Sequence, residues 1–125
     1  MERILLVGST DTLNENISFV LQLAGFEVSL VRSMEEAINL NDIYRYFIRN
    51  FDMLVLSGTE LSRITQKGFD FLRKIPQQVK ILIAERDPCL PSESDSFDNL
   101  YRTENIYFCN TTNITVETKK IFGRI

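Results

Sequence analysis

Five short apolar runs separated by amphipathic segments dominate the pattern of this chain. Four are largely apolar throughout, at residues 3–7, 51–56, 79–84 and 106–109, whereas in the segment 26–30 apolar residues alternate with Glu27 and Ser29, as in a half-buried strand. Apolar runs of this length, bounded by glycine, serine, proline or asparagine, are typical of strands. Strands that alternate with helical segments indicate a parallel sheet covered by helices on both faces. The pattern therefore predicts an α/β fold with five strands and five helical segments.

Polar capping residues mark the starts of the first two predicted helices. Thr12 and Glu15, and likewise Ser33 and Glu36, have the spacing of a capping box. The first helix is predicted to end at Gly25 and to place these residues on its core side: Leu13, Ile17, Val20, Leu21 and Ala24. The second is predicted to break within residues 39–42 and to restart with these residues facing the core: Ile43, Tyr44, Phe47 and Ile48.

Three further helices are predicted in the second half of the chain. The segment 68–75 is helical and is stopped by Pro76. Residues 85–97 contain two prolines, so only a short helix near 97–102 is expected there. Asn113 opens the last helix, whose apolar face carries Ile114, Thr118, Ile121 and Ile125.

Composition and charge narrow the class of protein. The 125 residues are 44% hydrophobic and 25% charged, which is typical of one soluble globular domain. The net charge of −3 argues against a general nucleic-acid or anionic-membrane binder. No apolar run approaches the roughly 20 residues that span a bilayer, and no signal peptide precedes the first strand. A cytoplasmic protein is expected.

Two residue types limit the possible chemistry. The chain contains no histidine, which excludes Ser-His and Cys-His nucleophilic pairs and histidine-based metal sites. Its two cysteines, Cys89 and Cys109, lack the spacing of metal ligands and are expected to be reduced thiols. We therefore expect no catalytic residue, no metal and no cofactor.

The strand ends point to the same conclusion. In open α/β sheets the ligand crevice lies beyond the carboxyl ends of the strands. The first strand runs into Gly8, Ser9 and Thr10, and the third runs into Ser57, Gly58 and Thr59. These residues are small and neutral, so the scaffold of an active site is expected without its reactive groups.

The chain resembles the receiver domain of bacterial response regulators over its whole length. The resemblance rests on residues 4–7 and the helix after them, on 33–37 and 52–56, and on Gly-Phe-Asp-Phe-Leu-Arg-Lys-Ile at 68–75. It implies a flavodoxin-like, doubly wound α/β fold with parallel strand order 2-1-3-4-5 and helices on both faces. It also implies a single receiver-like domain over residues 1–125.

The resemblance locates the phosphorylation-site positions of the family. Gly8 and Ser9 stand at the acid pair that holds Mg²⁺, and Ser57 stands at the phosphoacceptor aspartate. Mg²⁺ is normally held by one or two carboxylates, and acyl-phosphate formation needs a carboxylate nucleophile. The site is therefore predicted to be degenerate, and Mg²⁺ binding is not expected.

The fourth and fifth strands depart from the family in the same way. Ala84 stands at the switch Ser/Thr position and Asn110 at the lysine position, whereas Tyr107 retains the switch aromatic. Glu85 is a possible mimic of the missing phosphoryl charge. Together with Asp11 and Glu60, it is also one of the acids that could rebuild a metal site.

These substitutions predict a pseudo-receiver: a non-enzymatic protein–protein interaction module in bacterial signal transduction that needs no phosphorylation. In the family, partners and second copies often bind the face formed by the fourth helix, fifth strand and fifth helix. The residues expected on that face are Leu100, Tyr101, Tyr107 and Phe122. The predicted partner is a protein or a second copy of the chain, with no nucleic acid and no membrane.

Two other classes of function remain open. Hydroxyls of Ser9, Thr10, Ser57 and Thr59, with helix N-terminal amides, could hold a small anion or metabolite in the emptied crevice. A flavodoxin-type redox protein is disfavoured by the short turn at residues 8–12 and by the absence of tryptophan. No output domain follows the last helix in this sequence, so no DNA-binding activity is predicted.

Overall fold

A five-stranded parallel sheet organises the molecule. The computed structural model describes residues 2–8, 12–44, 47–57, 64–76, 78–85 and 106–123. The strands are β1 Arg3–Val7, β2 Glu27–Val31, β3 Met53–Ser57, β4 Lys80–Glu85 and β5 Ile106–Asn110. They pair in the order β2-β1-β3-β4-β5, and every pairing is parallel. The predicted fold class and strand order are confirmed.

Four helices and two short 3₁₀ turns accompany the strands in the described part of the chain. The helices are α1 Thr12–Leu23, α2 Met34–Ile43, α3 Gln66–Lys74 and α4 Ile114–Ile121. The 3₁₀ turns are Ile48–Asn50 and Thr111–Asn113. The predicted short helix near 97–102 lies outside the described residues. Within the described ranges, no helix is long and apolar enough to cross a membrane.

Side-chain caps open α2, where predicted, and α3, which begins two residues before its predicted start at residue 68. The Ser33 hydroxyl accepts a hydrogen bond from the Glu36 amide at 3.1 Å and caps α2. Thr65 does the same for α3, accepting from the Gly68 amide at 3.3 Å. Each cap satisfies one amide of a helical first turn, which has no partner within the helix.

The sheet divides the core into two apolar layers. Side chains of alternate strand residues point to opposite faces. The layer under α1 and α4 consists of Ile4, Leu6, Ile17, Leu21, Phe26, Met53, Val55, Leu82, Ala84 and Ile114. The layer under α2 and α3 includes Leu5, Val7, Leu54, Leu56, Leu72, Ile75, Ile81 and Ile83. The central strands are therefore apolar at consecutive positions, because both of their faces are covered.

The end of α2 differs from the prediction. The helix continues without a break through residues 39–42 and ends at Ile43, so Ile43 and Tyr44 are 70% and 62% exposed and do not reach the core. The chain leaves the helix at Tyr44, and Phe47 and Ile48 pack inward as predicted. Oδ1 of Asn41 accepts a hydrogen bond from the Ile48 amide at 3.2 Å, which ties the end of α2 to the chain that follows it.

The outward side of α1 is more apolar than predicted. Ile17 and Leu21 face the sheet as expected, but Val20 is 38% exposed. A residue three positions after Ile17 lies about 60° around the helix from it, at the flank of the buried stripe. Phe19 and Leu23 lie further round and are 61% and 72% exposed.

Helices α2 and α3 come close together at Gly68. This glycine is buried, and a Cβ atom built on it would collide with the Ile64 side chain and lie 3.3 Å from Cγ of Met34. Ile64 is β-branched and packs against the core layer of α2 and α3, so it has little freedom to move aside. The absence of a side chain at residue 68 thus allows this contact.

Gly68→Ala tests the close approach. Alanine favours a helix over glycine by about 1 kcal/mol, whereas overpacking a core costs about 1–3 kcal/mol. We expect urea denaturation to show a net loss of about 1 kcal/mol in the free energy of unfolding. Arg73→Ala, at an exposed position of the same helix, is the control and should change stability little. A more stable Gly68→Ala variant would contradict the close contact.

Candidate functional site

A row of small residues forms the carboxyl edge of the sheet. The register pairs Val7 with Leu56, Ser57 with Ala84, and Ala84 with Cys109. Gly8 follows Val7, and its amide donates to the Val31 carbonyl at 3.0 Å, which continues the pairing of β1 with β2. The strands therefore bring Gly8, Ser57 and Ala84 to one edge, where the crevice of this fold lies.

The row offers little accessible chemistry. Ser57 is 4% exposed and Ala84 1%, and strand alternation directs both side chains to the face covered by α1 and α4. Gly8 is also buried and has a φ of 156°, a conformation that favours glycine. An aspartate at residue 8 would therefore strain the backbone besides adding charge.

Asn110 caps the turn that follows its own strand. Its Oδ1 accepts from the backbone amide and from the hydroxyl of Thr112, both at 3.0 Å. It pairs with Glu85, one residue beyond the row. Asn110, which the resemblance places at the family's lysine position, thus uses its side-chain oxygen to cap the 3₁₀ turn Thr111–Asn113.

The sequence interpretation missed this capping role. The spacing of asparagine and threonine two residues apart is typical of an Asx turn and could have indicated it. Helix α4 does begin at Ile114, as predicted, but among the described residues Asn113 makes no side-chain capping bond.

Tyr107 and Cys109 lie on the same face of β5. Tyr107 pairs with Leu82, two residues before Ala84, and both Tyr107 and Cys109 pack against the core layer of α1 and α4. Burial, and then the nearby Glu117 carboxylate, raise the pKa of the Cys109 thiol to about 12. The thiol is therefore protonated at neutral pH and is a poor nucleophile.

The other predicted site residues are placed only in part. Ser9, Leu100 and Tyr101 lie outside the described residues, as do Asp11, Glu60 and Cys89. Glu85 ends β4, and only its backbone is described. Phe122 is half-buried, and its ring centroid lies 5.7 Å from that of Phe26.

Metal binding or base catalysis at the row would depend on neighbouring charged side chains. Among the residues that the structure describes, no group of three or more His, Cys, Asp or Glu could hold a metal ion. Lys80 lies at the amino end of β4, opposite Met53, which places it about 13 Å along the strand from Ala84. It is therefore too far along the sheet to act as a base for Ser57.

Solved structures resemble the chain over nearly its whole length. A response regulator receiver domain from Clostridium thermocellum is 17% identical, with a TM-score of 0.66, and the match covers 99% of this chain and 96% of that one. The fold is that of response regulator receiver domains. No family sequence model and no curated protein sequence matches the chain.

Two further structural neighbours are also response regulators. The response regulator TrrA from Thermotoga maritima, solved in complex with Mg²⁺ and beryllofluoride, is 21% identical with a TM-score of 0.64, and each chain is covered completely. An atypical orphan response regulator with a phosphorylation-independent regulatory mechanism is 18% identical with a TM-score of 0.61. That match covers 94% of this chain and 92% of the other.

The substitution Ser57→Asp tests whether the side chain at residue 57 is buried. A carboxylate at this buried position should have a raised pKa, because burial disfavours its charged form. The resulting loss of stability is complete above the raised pKa and disappears below the unfolded-state pKa of about 3.9. Relative to the neutral Ser57→Asn control, we expect a deficit of about 2 kcal/mol at pH 7 that shrinks toward pH 4.

Thermal and urea denaturation across this pH range measure the deficit. A deficit independent of pH would contradict the burial argument. Recovery of stability on adding Mg²⁺ would show that nearby groups can complete a metal site.

Asn110→Ala tests the cap. Removing Oδ1 leaves the Thr112 amide without its acceptor, and loss of such a cap costs about 1 kcal/mol. Asn110→Asp retains an acceptor oxygen and should keep most of the stability. Equal unfolding midpoints for the alanine variant and the unchanged chain would rule out the capping role.

Proposed function

We propose that this chain is a pseudo-receiver: a regulatory protein–protein interaction module of bacterial signal transduction that works without phosphorylation. It uses the receiver fold as a fixed binding scaffold and catalyses no reaction. Its place of action is the cytoplasm, where signalling receivers meet their partners. The single domain spans residues 1–125 in this proposal.

The observation that carries the proposal is the row Gly8, Ser57 and Ala84. Phosphoryl transfer to a receiver needs a carboxylate nucleophile, a metal held by carboxylates, and groups that neutralise the developing charge. In this row Gly8 has only its backbone, Ser57 has a buried hydroxyl and Ala84 has a methyl group. The oxygen of Asn110, at the position of the family's cation, is engaged in its own turn.

The comparisons give precedents for both kinds of regulation in this fold. TrrA was solved with Mg²⁺ and beryllofluoride, and the atypical orphan regulator has a phosphorylation-independent mechanism. The side chains at the strand ends of the present chain favour the second kind. Glu85, next to Ala84, is a candidate to stand in for the phosphoryl charge.

The partner in this proposal is a protein, and a second copy of the chain is one candidate. The expected face combines β5 and the last helix with Leu100 and Tyr101. Tyr107 and Phe122 are half-buried, so each combines core packing with a remaining accessible surface. Binding through such a face would be constitutive, because no phosphoryl group is needed to create it.

Amide proton–nitrogen NMR with Mg²⁺ and then beryllofluoride tests the central claim. We expect no shifts at Gly8, Ser57, Ala84 or Asn110, because none of these four residues carries a carboxylate to bind metal. The melting temperature should likewise be the same with and without Mg²⁺. TrrA, titrated identically, is the matched control and should respond.

Saturable shifts at these four amides would overturn the proposal. They would show that Asp11, Glu60 or Glu85 completes a metal site. Shifts with phosphate or sulfate but not with Mg²⁺ would instead favour the anion-sensing alternative.

A further inference from the structure

A cavity separate from the crevice lies between α2, the 3₁₀ turn Ile48–Asn50 and α3. Its volume is about 310 Å³, at the lower end of the range for small-molecule pockets of roughly 300–1,000 Å³. Its floor is apolar, since Ile38, Ile48 and Ile75 line it and are only 5–6% exposed. The half-buried Phe71 also lines the cavity.

The cavity lies on the other side and toward the other end of the sheet from the row Gly8, Ser57 and Ala84. Ile48 precedes β3 and Ile75 precedes β4, which places both near the amino edge. Both belong to the core layer of α2 and α3, whereas Ala84 belongs to the opposite layer. A ligand here would not depend on the emptied phosphorylation site.

Charged groups of both signs surround the apolar floor. Asp42 lies in the last turn of α2, and Lys67 and Lys74 line the cavity from α3. All three are exposed, and none takes part in an ion pair among the described residues. Asp70 lies between the lysines and is held by Gln66, whose Nε2 donates to its Oδ1 at 3.1 Å.

One wall of the cavity is fixed before any ligand arrives. Asn41 lines the cavity, and the hydrogen bond from the Ile48 amide to its Oδ1 ties the end of α2 to the 3₁₀ turn. The Asn41 amide nitrogen is the remaining donor of that side chain. Such preorganisation lowers the ordering cost of binding.

The geometry points to a binding site for a small zwitterion with an apolar side chain, the chemistry of an aliphatic or aromatic α-amino acid. The apolar body would cover the isoleucine floor, the ammonium group would face Asp42, and the carboxylate would face Lys67 and Lys74. A purely anionic or purely cationic ligand would pair with rim charges of one sign only. Nothing in this inference depends on the proposed pseudo-receiver function.

Methyl NMR tests this site directly. With the isoleucine δ1 methyl groups labelled, L-leucine and L-phenylalanine are titrated into the full chain to millimolar concentration. We expect saturable shifts at Ile38, Ile48 and Ile75. Ile4 and Ile17, on the opposite face of the sheet, are internal controls and should not move.

Matched ligands and variants test the charge pattern. L-leucinamide lacks the carboxylate and 4-methylpentanoate lacks the ammonium group, so each should bind about fivefold more weakly than leucine, since the rim charges are exposed. Asp42→Asn and Lys74→Gln should weaken leucine binding to a similar degree. Glu35→Gln and Arg73→Gln, at exposed positions of the same two helices, should not.

Three results would overturn the inference. The first is no saturable shift with either amino acid. The second is shifts that also appear at Ile4 and Ile17. The third is equal affinity for leucine and its two singly charged analogues, which would show that the rim charges do not select the ligand. None of these results bears on the response to Mg²⁺ and beryllofluoride, so the two proposals fail independently.

Discussion

The burial of β1, β3 and β4 on both faces is the constraint on which the rest of the structure depends. Their apolar side chains are almost completely removed from water. Each Å² of apolar surface buried in this way stabilises the fold by about 25 cal/mol. Such strands need a helical layer on each side, and parallel neighbours need crossover connections. The two core layers and the positions of the four described helices follow from this single requirement.

The same burial extends to the carboxyl edge, and that has a functional consequence. In a phosphorylated receiver this edge must accommodate several carboxylates and a metal ion. The carboxylates repel one another unless the metal is bound. Here Ser57 and Ala84 continue the core to the ends of their strands. The edge thereby has buried side chains where a phosphorylated receiver places reactive groups, and this difference is what motivates the proposed function.

The helices on the two faces of the sheet offer different surfaces. Helix α1 exposes Phe19 and Leu23 on its outward side, whereas α2 and α3 enclose a cavity with charges at its rim. At Gly68 the first turn of α3 lies close to Met34, the first residue of α2. Further along α2, Ile38, Asn41 and Asp42 line the cavity.

The sequence by itself determined the strands, most helix starts and the fold class. These features depend on local patterns: consecutive apolar residues in covered strands, and capping residues such as Ser33 directly before helices. It also shows that Gly8, Ser57 and Ala84 carry no carboxylate, because residue type alone decides this. The burial of Ser57 at the end of β3 required the packed sheet.

Only the tertiary structure decided where α2 ends and which charged side chains surround the cavity. Residues 39–44 carry an apolar pattern that fits either a broken or a continuous helix. The bond from the Ile48 amide to Asn41, seven residues apart, accompanies the continuous one. The cavity likewise depends on the packing of α2 against α3, and the residues of these two helices are far apart in the sequence. Local sequence cannot encode such contacts, because their energies depend on both partners at once.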